Sequence, residues 1–321
     1  MSEPTKGCMF FNFGDKCAIR LLVALFTLRR YYKGPCVVML AKGDAANEKL
    51  QHDIKKLDCD VQWFDLERIT KRNIKSVLKP GLLTASPYDA TLIFDGDLVF
   101  RASPEALMPN LLSRGFLVTS FNNWWADKGP IRGRVGAMKD VLTEAELAES
   151  QRHHEAINVG VLGYEKGRGD QLHKAWEDLT LKAKGKFIVD EIAMQCVFYK
   201  YPCYVTGPEW NSSCRNNNEL NAAKIVHYHG NKHTSPKRTS SRLWWAELGR
   251  LYRANLVDVK YWMSKDSDVQ ITFDKNGKWK FVAKCCDVEF PVDFKLPASN
   301  VIEVPDEEDL AELEKKDAAN V

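Results

Sequence analysis

The first hundred residues alternate short, unbroken apolar runs with longer stretches whose apolar positions recur at helical spacing, and few folds accept that pattern. Cys8 to Phe13 reads as a strand. Asp15 stands where it can cap a helix carrying Ala18, Leu21, Leu22, Leu25 and Phe26, and Val37 to Leu40 is the run expected of a strand covered on both faces. A second helix is expected over residues 45–57, a strand over 59–64, and a third helix over 67–78 that Pro80-Gly81 ends. Strands joined by helices of this length form right-handed βαβ units, which predicts an α/β fold with a mostly parallel central sheet. Ligands of such sheets bind at the carboxyl ends of strands. The apolar strand Ala90 to Phe94 runs straight into Asp95-Gly96-Asp97 at such an end.

Further along, Ser103-Pro104-Glu105 starts a short helix and Phe116 to Ser120 is a strand. Residues 124–139, rich in glycine and basic residues, read as a long loop, in which Lys128, Arg132 and Arg134 either close over a ligand or simply make a flexible basic segment. A strand over 157–162, helices over 169–184 and 190–199, a strand over 224–229 and a helix over 243–256 follow. Asn276-Gly277 marks a hairpin between strands at 269–273 and 279–282. No internal repeat is present.

With 46 basic and 43 acidic residues the net charge is +3, too near balance for a general nucleic-acid or membrane-surface binder. The distribution is uneven: residues 303–321 carry a net −6 and the preceding body +9. No signal peptide is expected, and no apolar stretch approaches a membrane span. Nine scattered cysteines without a Cys-x-x-Cys pair read as free thiols of a reducing compartment, so a cytoplasmic protein is expected.

Two carboxylates at i and i+2 on the end of a buried strand are costly to leave unpaired. A hard cation, Mn²⁺ or Mg²⁺, takes oxygen ligands and bridges protein carboxylates to a substrate diphosphate. The tripeptide alone is a weak signal, as Asp58-Cys59-Asp60 illustrates; its strand-end position gives Asp95 and Asp97 their weight against a turn that merely holds two acids. Between His227 and His233 stand three histidines. If the strand continues through residue 229, His227 and His229 share a face, an imidazole can complete an oxygen-rich site, and Gly230 lets the backbone approach a phosphate. A zinc site with Cys203 or Cys214 and a ligand-free surface cluster are the other readings, and the spacing fits no common structural zinc pattern. Asn158, in Ile157-Asn158-Val159-Gly160-Val161, puts an amide where it can bond sugar hydroxyls. Asp190-Glu191 opens a helix, where capping alone explains two carboxylates.

Taken in order, Tyr88-Asp89-Ala90-Thr91-Leu92-Ile93-Phe94-Asp95-Gly96-Asp97, Ile157-Asn158-Val159-Gly160-Val161, Asp190-Glu191, Glu209-Trp210-Asn211 and His227 to Lys232 resemble the family 8 glycosyltransferases, the glycogenin and lipopolysaccharide galactosyltransferase group, over about residues 8–235. The resemblance implies a GT-A fold, a Rossmann-like α/β domain that binds a nucleoside-diphosphate sugar, with UDP the expected nucleotide. It further implies that Asp95, Asp97 and His227 hold Mn²⁺ (or Mg²⁺), that Lys232 and Gly230 meet the diphosphate, and that Asn12 and Phe13 lie by the nucleobase and ribose. Lys79 stands where a basic residue reaches the donor, and Asn158 and Asp190 line the donor sugar, Asp190 as nucleophile or electrostatic support in a configuration-retaining, hexosyltransferase-like reaction. The set departs from the family pattern in that Lys232 stands five residues after His227 rather than six, and Asp15 stands where an aromatic is usual.

On this reading residues 1–235 form the glycosyltransferase domain, 236–302 a helical and hairpin extension, and 303–321 an acidic tail. A sugar-nucleotide-binding scaffold of the same fold with weak turnover is the alternative. A nucleotidyltransferase ranks lower, because Phe13-Gly14-Asp15-Lys16 offers one glycine rather than a glycine-rich phosphate loop. The acceptor (glycan, lipid or protein) and the oligomeric state stay open at this level.

Overall fold

A computed structural model of the chain describes residues 3–12, 14–42, 45–65, 78–121, 134–153, 155–183, 189–214, 220–229, 239–266, 269–273, 279–283 and 288–290. All but the last residue of the helix expected over 67–78, and Phe13, Lys128, Arg132, Gly230, Lys232, the hairpin's Asn-Gly and the acidic tail, lie outside the described residues.

The chain opens with β1 (Lys6–Asn12), α1 (Ala18–Tyr31), β2 (Cys36–Ala41), α2 (Ala45–Lys56), β3 (Asp60–Phe64), α3 (Leu78–Leu83), β4 (Ala90–Phe94) and β5 (Leu98–Phe100). Next come α4 (Met108–Arg114), β6 (Phe116–Ser120), α5 (Glu144–Arg152), β7 (Ile157–Glu165), α6 (Asp170–Lys182), α7 (Val189–Val197), β8 (Tyr204–Thr206), β9 (Ser212–Ser213) and β10 (Ile225–His227). Helices α8 (Thr239–Ala254) and α9 (Val259–Lys265) and strands β11 (Val269–Phe273), β12 (Trp279–Ala283) and β13 (Val288–Phe290) complete it.

Seven strands form the central sheet in the order β3-β2-β1-β4-β7-β6-β8, parallel except where β7 runs antiparallel to both β4 and β6. All six residues of β2 are buried, the signature of a strand covered on both faces. Alternation along β1 sends Phe10 and Cys8 into the apolar layer under α1, and Met9 into the layer under α6 and α7. A second sheet, β5-β10-β9, lies beyond the end of β4, and β11 to β13 form an antiparallel meander, which includes the hairpin read from the sequence.

Two expectations are corrected. Asp15 does not cap α1 through its side chain: Cys17 holds the N-cap position without a side-chain bond, and the Asp15 backbone carbonyl accepts the Ala18 N–H at 3.1 Å, so a tight turn begins the helix. Pro80-Gly81 does not end a helix but lies within α3, where proline's missing N–H is harmless because first-turn donors have no intrahelical partner. Helix α5, which the periodicity did not predict, starts with a reciprocal capping box between Thr143 and Glu146. Among the described residues no helix is long and apolar enough to cross a membrane.

Helices α8 and α9 pack on α1 and contribute Trp244, Leu248, Leu251, Trp262 and Met263 to the same apolar layer as Phe10 and Leu22. Their polar attachments are specific. Trp262 Nε1 donates to Asp53 at 2.6 Å, Arg30 forks onto Glu247 with both bonds at 2.9 Å, and Arg20, inside α1, forks onto Asp266 at 3.1 and 3.2 Å. Both side chains of the last pair are almost wholly buried. Losing one partner of such a pair strands the other charge in a poor solvent. Asp266→Ala is therefore expected to lower unfolding free energy by about 3–5 kcal/mol in urea titrations. Arg152→Ala, which breaks an exposed pair with Glu149, is expected to cost less than about 1 kcal/mol.

Candidate metal and donor site

The site forms where β4 leaves the central sheet. Strand β4 ends at Phe94, whose ring lies 5.4 Å from Phe10 and 5.1 Å from Phe100, and this aromatic floor fixes the rim from which Asp95 projects. The Asp95 N–H donates to Gly160 O at 2.9 Å, continuing the β4–β7 ladder by one residue. After Asp97 the chain enters β5, which pairs antiparallel with β10 so that Leu98 lies opposite His227, and Tyr228 N–H donates to Asp97 O at 2.9 Å. That register brings residues 130 positions apart in sequence side by side.

Asp95, Asp97 and His227 each offer one ligand atom within 4.8 Å of the others, the only such His/Cys/Asp/Glu group among the described residues. His227 Nε2 lies 3.2 Å from Asp97 Oδ1 and 3.8 Å from Asp95 Oδ2. Lys79, carried in by α3, lies 2.7 Å from Asp95 Oδ1 and donates to Val159 O at 2.8 Å. Two carboxylate oxygens and an imidazole nitrogen facing one point suit a divalent cation such as Mn²⁺ or Mg²⁺. Both carboxylates keep about a fifth of their side-chain surface exposed, so the point they face is reachable.

The charges are mutually adjusted. Burial pushes the Asp97 carboxyl up, but His227, its hydrogen bond and Arg20 outweigh it and hold Asp97 well below the usual carboxylate range. Burial pulls His227 down, and Asp97 followed by Asp95 reverse the sign and raise it. Lys79 is likewise raised, burial being outweighed by Asp95 and Asp190.

Strand β7 provides the opposite wall. Between Val118 and Thr119 of β6 the pairing jumps from Leu162 to Asn158, so residues 159–161 bulge away from β6. The bulge releases Val159 O to Lys79 and Gly160 O to Asp95, and it aims Asn158 into the cleft. Asn158 Nδ2 donates to Glu191 Oε2 at 2.8 Å, and Glu191 in turn pairs with Arg134. Burial raises the Glu191 carboxyl against the opposing pull of Arg134. It raises Asp190 too, against Lys79, with Asp95 adding to the rise. Asp190-Glu191 thus lies in the first turn of α7 and faces the cleft charges as well.

Of the residues expected from the sequence, Asp95, Asp97, His227, Lys79, Asn158 and Asp190 come together here. Asn12 is buried at the end of β1 and donates to Gly14 O at 2.7 Å, while Phe13, Gly230 and Lys232 lie outside the described residues. The strand ends at His227, so His229 does not extend it. Its Nε2 lies 2.6 Å from Ser213 Oγ, with its ring 5.3 Å from His227. Neither Cys203 nor Cys214 joins the cluster, and His233, the third histidine of the zinc reading, lies outside the described residues. Three participants were not expected in these roles. Glu191 had an explanation as a helix cap, Arg134 as part of a loop, and Asn211, fully buried, bonds Thr119, Asn158 and His227.

No family model matches the sequence, and no curated protein matches it. Solved structures do. The chain is similar to the bifunctional glycosyltransferase WbbM in its apo form (16% identity, TM-score 0.56, covering 83% of this chain and 52% of that one). It is also similar to the galactosyltransferase LgtC in complex with donor and acceptor sugar analogs (15%, 0.55, 81% and 99%). The apo-form glycosyltransferase GlyE of Streptococcus pneumoniae TIGR4 is a further match (14%, 0.52, 80% and 62%). The chain spans about half the length of WbbM and nearly all of LgtC. The fold is the GT-A glycosyltransferase fold.

Two outcomes are expected. A methyl at Gly160 would fall 2.4 Å from His227 Cε1, 2.7 Å from its Nδ1 and 2.8 Å from Asn158 Oδ1, whereas one at Gly96 meets nothing nearer than Leu21 Cβ at 3.5 Å. Gly160→Ala should weaken Mn²⁺ binding about tenfold or more in a calorimetric titration, and Gly96→Ala should not. The second concerns pH in metal-free protein. Asp97 lies below its ordinary 3.8, so its contribution is present above that value and lost as pH falls through the lowered one. His227 lies above its ordinary 6.5, so its contribution is full below 6.5 and lost as pH rises through the raised one. Melting temperature in EDTA should thus decline above pH 6.5 with a component that His227→Gln removes.

Proposed function

We propose that the protein is a metal-dependent, retaining glycosyltransferase that moves a hexose from a UDP-sugar to an acceptor hydroxyl. The observation that carries the reading is the Asp95, Asp97, His227 group at the strand ends of a GT-A fold. A divalent cation bound there supplies positive charge against the diphosphate that departs when the anomeric bond breaks.

The chain's own residues account for the rest. Lys79 steers one Asp95 oxygen while leaving the other turned toward His227. The bulge of β7 presents Asn158 to the donor sugar's hydroxyls, its amide already oriented by Glu191. Asp190, in the first turn of α7, is near enough to Lys79 and Asp95 to feel both charges. Its raised proton affinity suits a group that supports the positive charge developing at the anomeric carbon, whether as nucleophile or as fixed counter-charge. Arg134, paired with Glu191, adds a positive charge to this wall.

Incubation with a panel of nucleotide sugars and Mn²⁺, followed by release of free nucleotide, tests the reading. Turnover of one or more UDP-sugars is expected, lost on chelation and reduced by at least about 10²-fold in Asp97→Ala, whose melting curve should remain cooperative. Asp190→Asn should lower kcat more than donor affinity, and an unchanged kcat would remove Asp190 from the catalytic set. No turnover of any donor, with UDP still bound, would identify a binding protein of the same fold.

A further inference from the structure

The proton positions around His227 can be deduced from one unambiguous donor. The backbone N–H of Gly160 points at a side-chain atom of Asn158 at 2.8 Å, so that atom is the amide oxygen, Oδ1. The other end of Asn158 is then Nδ2, which agrees with its bond to the Glu191 carboxylate. The Asn211 atom 2.8 Å from Asn158 Oδ1 must be a donor, hence Nδ2, and it also meets Thr119 Oγ1 at 2.8 Å. Thr119 can accept there because its own proton goes to Asn158 O and Val161 O, each at 3.2 Å. The remaining Asn211 atom is therefore Oδ1, an acceptor, and it lies 2.9 Å from His227 Nδ1. That nitrogen must carry the hydrogen.

We propose that Asn211 is a positioning residue that fixes His227 as the Nδ1–H tautomer, leaving the Nε2 lone pair directed at the point that Asp95 and Asp97 face. The inference rests on the metal reading of that cluster and deepens it. Without Asn211 the local field would select the wrong form, because Asp97 and Asp95 are both acceptors beside Nε2 and would draw the proton to it. A protonated Nε2 is not a ligand. The placement of Asn211 suits the role: it is fully buried, it follows a 3-10 turn at Pro208–Trp210, and β9 immediately after it pairs in parallel with β10. The same side chain joins the imidazole to Asn158 and so to Glu191. One amide thereby sets the metal-facing and sugar-facing walls together.

The test uses the full-length protein, Mn²⁺ alone as probe, and the variants Asn211→Leu and Asn211→Asp. Leucine removes the acceptor, and aspartate retains it toward His227 while losing the donor toward Asn158. Wild type should bind Mn²⁺, Asn211→Leu about tenfold to a hundredfold more weakly, and Asn211→Asp within about threefold of wild type. Nitrogen-15 NMR of the metal-free protein, above the imidazole's titration, should report Nδ1–H for His227 in wild type and Nε2–H in Asn211→Leu. Equal Mn²⁺ affinity in folded Asn211→Leu, an Nε2–H tautomer in wild type, or a tenfold loss in Asn211→Asp would each overturn the proposal. If Asn211→Leu fails to fold, the wild-type tautomer and Asn211→Asp decide it. Wild type that binds neither Mn²⁺ nor Mg²⁺, but shows the Nδ1–H tautomer, would overturn the metal reading of the cluster while leaving the assignment of the imidazole proton intact.

Discussion

Two carboxylates one glycine apart on the rim of a buried sheet repel each other, and the surroundings of Asp95 and Asp97 are arranged to answer that repulsion. Each has a cationic neighbour delivered by a different element: Lys79 from α3 for Asp95, His227 from β10 for Asp97. Arg20 adds a further positive charge from within α1 that lowers Asp97. Both carboxylates still keep about a fifth of their side-chain surface exposed. The protein therefore tolerates the acid pair by itself, and the pair retains a coordination-ready geometry.

That arrangement extends to the far end of the chain. Arg20 lies among the buried, mostly apolar residues of α1, and it is held there by its fork onto Asp266 just after α9. The end of α9 thus does more than cover α1, since it supplies the counter-ion for a charge that acts on Asp97. A single apolar layer spans β1, α1, α8 and α9, so disturbance of the C-terminal helices reaches the rim of β4 through packing as well as charge.

The sequence was most legible where function is encoded by adjacent residues. Apolar runs followed by helices gave a parallel sheet, and Asp95 and Asp97 were visible because they terminate a strand. Matters carried by pairing between distant segments were not legible. Strand β5 is three residues long, too short for any periodic signal, yet its register with β10 assembles the cluster. Val159-Gly160-Val161 reads as ordinary strand, and nothing local announces the register shift beside it or the acceptance of Lys79 by Val159 O. Pro80-Gly81 misled for a physical reason: proline stops a helix only from the interior, and here it sits near the start. Glu191 had a sufficient local explanation as a helix cap, and Asn211 stood only in a resembling segment with no role attached, so their bonds to Asn158 and His227 required the fold to be seen.

The balance of charge around the cleft also constrains how ligands can enter under the proposed function. Asp95, Asp97, Asp190 and Glu191 gather against Lys79, Arg134 and His227, and the raised proton affinities of Asp190 and Glu191 come first from burial, with a neighbouring carboxylate adding to each. A diphosphate arriving alone would add negative charge to that wall, while a divalent cation arriving first relieves it. Each ligand then improves the field for the other.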